Sequence, residues 1–297
     1  MRAAEWGFLL LSSHLGDPLR KPLTAPQLRK LALRMQVLER TTEERDLDSS
    51  DLKRMGYSAE EANRILSLLA EERLLQNYLK SGEMAGCRPI TRVSEGYPLL
   101  LRKRLGLDSP GCLWVKGDAS LLLQPAVALV GSRELREENR AFAEEVGRQA
   151  ALQSYVLVSG NARGADRRAQ DACLEAGGKV ISVVADELYK QPQQENVLYV
   201  SEDGFGESFS SIRALSRNRV IHALGVKTFV AQCSEGKGGT WSGTVKNLRG
   251  GWSDVFAFRD GSAAMMQLEQ MGASLISMEE LESFYDLQKT DMNFLDR

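Results

Sequence analysis

Three short glycine-bearing stretches of this 297-residue chain, and one arginine-rich stretch, carry hydroxyl, amide and cationic side chains, a mixture suited to holding phosphate. In Val130-Gly131-Ser132-Arg133 the glycine permits a sharp turn and close backbone approach. Ser132 can cap a following helix and Arg133 adds a fixed charge. In Ser159-Gly160-Asn161-Ala162-Arg163-Gly164-Ala165-Asp166, two glycines and two small residues expose N–H groups beside Arg163. Gly160 and Gly164 could serve only a tight turn, but Arg167 and Arg168 close to Arg163 favour an anionic ligand, and Asp166 suits a first-turn cap better than a catalytic acid. Gly236-Lys237-Gly238-Gly239-Thr240-Trp241-Ser242-Gly243-Thr244 is expected to be a mobile loop that wraps phosphate with amides and hydroxyls. It lacks the Gly-Lys-Ser/Thr ending of a Walker loop, and Trp241 offers either a stacking face or, as favoured here, a core anchor. Arg217-Asn218-Arg219, with Arg213 upstream, precedes an apolar helical stretch that Asn218 would cap; the alternative is a solvated basic face. Arg133, Arg217 and Arg219 are expected to be exposed and to contact successive phosphates.

Catalysis and metal binding find less support. No nucleophile stands beside a base, no paired carboxylates are evident, and the only histidines are His14 and His222. Cys87, Cys112, Cys173 and Cys233 are scattered without a metal-ligand spacing and read as buried, reduced thiols. His222 lies among apolar helix residues and reads as structural. No enzyme, cofactor or metal is therefore expected.

These residues need elements to position them. From Ala126 onward, apolar runs alternate with helical patterns, the signature of a parallel sheet covered on both faces. Residues 127–258 are thus predicted to form a Rossmann-like unit whose loops meet at the strand carboxyl ends. Short strands at Ile90 and at Cys112 are expected to add to the edge of that sheet. Before them the chain reads as helices, the strongest opening at Ser58 with a capping box to Glu61. The division expected is a helical domain over 1–85, serving either as a docking module or as a cap, and a Rossmann-like domain over 86–297. The 38 Lys and Arg nearly balance the 40 Asp and Glu, which excludes a generally basic binder and requires a local basic patch. The apolar run from Trp6 to Leu11 is too short to span a membrane, so a cytoplasmic protein is expected.

From about Pro89 to Ile276 the chain resembles the DNA-processing protein A (DprA/Smf) family. The resemblance rests on Pro89-Ile-Thr-Arg-Val, Tyr97-Pro98 and Leu113-Trp-Val-Lys-Gly-Asp, then on Val130-Gly-Ser-Arg, Ser159-Gly-x-Ala-x-Gly-x-Asp and Arg217-Asn-Arg-Val-Ile, in that order. It implies a homodimeric, ATP-independent protein that binds single-stranded DNA and helps load a RecA-type recombinase during uptake of transforming DNA. The chain departs from the pattern at several places. Ala165 stands for the usual isoleucine, Arg167-Arg168 for Ala-His, and Ala214-Leu215-Ser216 for Phe-Pro-x. The turn Ala185-Asp186-Glu187 lacks a glycine and carries acids that would repel phosphate, and no winged-helix tail is evident after Ile276, only a short helix and a charged end. A second reading is a nucleotide-binding sensor or phosphoribohydrolase-like protein of the same superfold. Gly238-Gly-Thr-Trp-Ser-Gly-Thr distantly resembles a loop of cytokinin-activating phosphoribohydrolases, but Val245, Lys246 and Asn247 supply no carboxylate after it.

Overall fold

The computed structural model describes residues 3–38 and 46–288. Its elements are α1 (Ala3–Ser12), α2 (Ala25–Arg34), α3 (Ser49–Arg54), α4 (Ala59–Leu69), α5 (Glu72–Met84), β1 (Arg88–Thr91), α6 (Leu99–Leu105), β2 (Cys112–Lys116), β3 (Ala126–Val130) and α7 (Glu137–Leu152). There follow β4 (Val156–Ser159), α8 (Ala165–Glu175), β5 (Lys179–Val183), β6 (Val197–Ser201), α9 (Ser211–Leu224), β7 (Lys227–Val230), α10 (Gly238–Gly250), β8 (Asp254–Phe258), α11 (Ala263–Gln270) and β9 (Ser274–Ile276). A 3₁₀ turn at Glu279–Glu282 follows β9, and the charged end lies outside the described residues.

The strands form one sheet in the order β1-β2-β6-β5-β4-β3-β7-β8-β9. From β6 to β9 every neighbour is parallel, whereas β1–β2 and β2–β6 are antiparallel. The expected edge strands are therefore present and flank a parallel sheet. Side-chain alternation along β3 explains the layering: Val127 and Leu129 enter one core, Ala128 and Val130 the other. The first core holds Phe142 and Val146 of α7 and Ala169 of α8, together with Leu9 and Leu10 of α1 and Leu75 and Tyr78 of α5. The second holds Leu101 of α6, Val220 and Leu224 of α9, and Met265 and Leu268 of α11. With both faces covered, the central strands are apolar throughout.

A third core is made by the N-terminal helices alone, including Leu31, Leu52, Ile65 and Leu68. The capping box is formed: the Glu61 N–H donates to Ser58 Oγ at 3.2 Å and the Ser58 N–H to Glu61 Oε2 at 3.0 Å. Lys30 also reaches Glu61 at 2.8 Å and ties α2 to α4. All four cysteines are buried and free.

Two local expectations are corrected. α9 begins at Ser211 rather than near Asn218, because Ser210 caps it by accepting from the Arg213 N–H at 3.1 Å. Asn218 is thus a mid-helix residue. The glycine-rich run is mostly helix rather than mobile loop, since α10 starts at Gly238. Glycine is a poor helix former, but Gly239 and Gly243 stand where a Cβ would crowd Asn218 and His222 of α9. Close contact between the two helices offsets the weak local propensity.

Candidate functional site

In the sheet order, the chain runs outward from β3 through β4, β5 and β6, then returns to place β7 on the other side of β3. The crevice beyond the carboxyl ends of β3 and β7 is therefore a topological switch point, where open α/β sheets bind ligands. A cavity of about 430 Å³ lies there. The loop after β3 contributes Gly131, Ser132 and Arg133, α9 contributes Arg217 and Asn218, and the start of α10 contributes Lys237, Gly238, Gly239 and Thr240.

Short polar contacts hold these segments together. Thr240 Oγ1 donates to the Gly131 carbonyl at 2.9 Å, and Asn218 Nδ2 to the Gly239 carbonyl at 3.1 Å. The Ala165 N–H donates to the Ser132 carbonyl at 3.1 Å, locking the β3 loop onto the start of α8. Gly164 makes that approach possible. Its φ is +92°, and a Cβ would overlap the carbonyl oxygens of Ser132 and Arg133.

Arg217 forms the floor and is only 8% exposed. Its guanidinium packs against Gly160, where any Cβ would collide with it. The Nε proton has no acceptor. Burial pulls the Arg217 pKa down, opposed chiefly by the charge of Asp166 and worsened by that of Arg133. Guanidinium nevertheless stays charged in proteins. Asp166 is buried in the first turn of α8 but does not cap it as expected: Gly164 is the N-cap, and Asp166 Oδ2 instead accepts from the Ala162 N–H of the preceding loop at 3.2 Å. Burial raises its pKa, with Arg217 the strongest opposing influence. Among the described residues, Arg133, Arg217 and Lys237 make no side-chain hydrogen bond or ion pair, and all three line the cavity. The first turn of α10 adds N–H groups that have no intrahelical acceptor.

The other expected residues stand outside the cavity wall. Ser159 is fully buried and accepts from Gln170 Nε2 at 2.6 Å. Gly160 and Gly164 shape the loops rather than line them. Asn161 holds a left-handed turn (φ 61°) and donates to Gln191 at 3.3 Å. Arg163 points into solvent, 3.7 Å from Glu134. Arg219 is corrected most clearly: it is ion-paired with the buried Glu202 at 2.7 Å and donates to the Asp108 carbonyl at 3.2 Å. Arg213 likewise pairs with Asp203 at 2.8 Å. Helical geometry explains Arg219, because residues two apart on α9 do not share a face. Arg213, one turn before Arg217, is instead taken up by Asp203 and by the carbonyls of Ala185, Glu207 and Ser208.

Sequence reading did not single out Phe209, Ser211 or Ser234, which also line the cavity. Phe209 is 55% exposed and Leu215, beside it on the rim, is 48% exposed. An aromatic in a polar serine-rich stretch just before an arginine-rich helix was the available signal. Trp241 sits partly buried against the second core, as the anchor reading expects. His222 is fully buried, with Nδ1 3.2 Å from Asn247 Nδ2 and Nε2 unpartnered; burial lowers its pKa to about 3. Among the described residues no group of His, Cys, Asp or Glu could hold a metal, and no helix is long and apolar enough to cross a membrane.

A model of the family described as DNA recombination-mediator protein A matches residues 88–281. The DNA processing protein DprA of Streptococcus pneumoniae strain R6 is 33% identical over 185 residues, covering 57% of this chain. The match spans 64% of that relative, a little under two thirds of its length. Among solved structures, DNA processing protein A from Streptococcus pneumoniae aligns over 97% of this chain and all of its own, with TM-score 0.73 and 24% identity. The counterpart from Helicobacter pylori, solved for its single-stranded DNA binding mode, aligns over 66% of this chain and 94% of its own, with TM-score 0.55 and 21% identity. At these identities the structural likenesses establish the fold: a Rossmann-like, parallel-rich sheet with helices on both faces.

Proposed function

The chain belongs to the DNA recombination-mediator protein A family, and we propose that it binds single-stranded DNA in the β3/β7 cleft and serves DNA recombination or the uptake of transforming DNA. The observation that carries this reading is Arg217. A buried guanidinium with an unpartnered Nε, next to two further unpaired cations, is unfavourable until an anion arrives. The Helicobacter pylori relative is described by its single-stranded DNA binding, which makes the strand phosphate the natural anion. Phe209 and Leu215 on the rim offer apolar faces to unstacked bases.

On this reading Gly131, Ser132, Arg133, Arg217, Asn218 and the turn from Lys237 to Thr240 touch the ligand. Ser159, Gly160, Asn161 and Gly164 shape the loops behind them, and Arg163 meets the strand only outside the cleft. Binding proceeds without turnover, in the cytoplasm, by a homodimer that hands the strand to a RecA-type recombinase. The deciding measurement is a titration of single-stranded DNA, duplex DNA and mononucleotides across a salt series. Three released counterions give a log–log slope of about −2 for a single strand. Equal affinity for duplex, or a flat salt response, would defeat the proposal. Incubation with nucleoside triphosphates and monophosphates should release neither phosphate nor base; base release would restore the phosphoribohydrolase-like reading.

A further inference from the structure

We propose that the cleft seats a terminal phosphomonoester, the phosphorylated end of a DNA strand, in preference to an internal phosphodiester; this rests on the single-stranded DNA reading above. Charge matching is the first ground. An internal phosphate carries one negative charge and two free oxygens. A phosphomonoester carries about −1.5 to −2 at pH 7 and presents three acceptor oxygens. Arg133, Arg217 and Lys237 converge without ion-pair partners. The acids felt by Arg217 are Asp166, Asp186 and Glu202. Glu202 is neutralised by Arg219; Asp186, held by Gln191 at 3.2 Å, keeps its charge and offsets one of the three cations, while burial opposes ionisation of Asp166. The surplus charge of the cleft thus suits a dianion better than a monoanion.

Depth is the second ground. To reach the Arg217 floor, 8% exposed, a phosphate must enter fully. An internal phosphate would then drag two strand continuations through the same mouth, whereas a terminal one drags a single continuation. A volume of about 430 Å³ sits near the low end of pockets that enclose one small ligand, roughly 300–1,000 Å³. The third ground is that, apart from the exposed Arg163 and Arg167 around the start of α8, the arginines on the neighbouring elements are already paired. Arg136 is paired with Asp260, Arg213 with Asp203 and Arg219 with Glu202. Phosphates beyond the first find those arginines already neutralised, while Phe209 and Leu215 stand ready for the terminal base.

The test uses the full chain and an internally labelled oligothymidylate bearing a 5′-phosphate, a 3′-phosphate or hydroxyls at both ends. Circular single-stranded DNA and thymidine monophosphate serve as competitors. The proposal expects one phosphorylated form to bind at least about tenfold tighter than the hydroxyl-ended strand, a difference of about 1.4 kcal/mol. The two phosphorylated arms identify the end. That preference should fall toward parity in Arg133→Ala and Lys237→Ala, both exposed positions, and in Arg217→Lys, and circular DNA should compete poorly. Equal, tight binding of all three oligonucleotides and the circle would overturn the end assignment and leave strand binding standing. Thymidine monophosphate competing as well as the strand would overturn it in favour of a free nucleotide. A preference undiminished in all three variants would place the site elsewhere. No binding of any strand would defeat both this inference and the reading on which it rests.

Discussion

Arg133 and Arg217 carry the same charge into one cleft from opposite states of solvation, and their substitutions should diverge accordingly. Arg133 is exposed, so Arg133→Ala should weaken DNA binding and reduce the salt slope by about one unit while leaving Tm unchanged. Arg217 keeps an unpartnered donor out of water, a penalty of about 1–3 kcal/mol, and burial works against its charge. Arg217→Met, which keeps the stem and removes the charge, should abolish binding and raise Tm by a few degrees if, as proposed, the cleft trades stability for an anion. A lower Tm in thermal melts would mean that the attraction to Asp166 outweighs the desolvation. His222 gives a pH-dependent counterpart. Its folded pKa of about 3 lies below the ordinary 6.5, so between those values the unfolded chain binds more protons. Stability is intact above 6.5 and falls by about 1.4 kcal/mol for each pH unit below it, down to about pH 3. Urea unfolding from pH 7 to 5 should show this slope in the wild-type chain and a flatter one in His222→Gln; parallel slopes would show that His222 does not set it. Residue type alone marked the cations that reach the cleft, but not which of them were free. Arg217 and Arg219 look equivalent in sequence, and only the buried Glu202 on the far side of α9 separates them. Phe209 carried only the faint signal of an aromatic in a serine-rich stretch, and its place on the rim depends on where α9 begins.

Between residues and fold, the cleft depends on two junctions of loop and helix. At the first, Gly164 lets the start of α8 press against the carbonyls of Ser132 and Arg133. Gly164→Ala adds left-handed strain of about 1–3 kcal/mol and a backbone clash, so it should lower Tm and weaken DNA binding together. Gly238→Ala is the matched control. Its φ is +81° but nothing lies within 4 Å of a Cβ, so it carries strain without the clash. If Gly164→Ala lost no more Tm than Gly238→Ala, the junction would not be what positions the Arg133 loop. The second junction, α9 against α10, explains the limits of sequence reading at this scale. Buried parallel strands announce themselves as apolar runs, and the strands β3 to β9 were legible for that reason. The Gly236–Thr244 region was read as a loop because four glycines argue against helix locally. What makes it helical is the tertiary closeness of Gly239 and Gly243 to Asn218 and His222, which no window of sequence contains.

At the scale of the whole molecule, the N-terminal helices bear on the cleft through packing rather than through charge. We propose that residues 1–85 act as a helical unit docked on the sheet. Tyr78 of α5 meets Trp114 of β2 edge-on at 5.1 Å and stacks on Phe205 at 4.7 Å, and Phe205 lies four residues before Phe209 on the cleft rim. Loss of the Tyr78 ring therefore opens a hole under β2 and frees the segment that presents Phe209. Tyr78→Ala should cost about 3–5 kcal/mol by chemical denaturation and also weaken DNA binding, although it touches no ligand. Arg29 of α2 borders a separate surface cleft with Leu33 and Leu107, away from the cations of the switch point. Arg29→Ala should consequently leave both stability and binding unchanged. The two variants discriminate between support and direct contact when each is titrated with single-stranded DNA at a temperature where it remains folded. Binding lost in Arg29→Ala and retained in Tyr78→Ala would move the DNA site onto the helices, since a packing role predicts the reverse order.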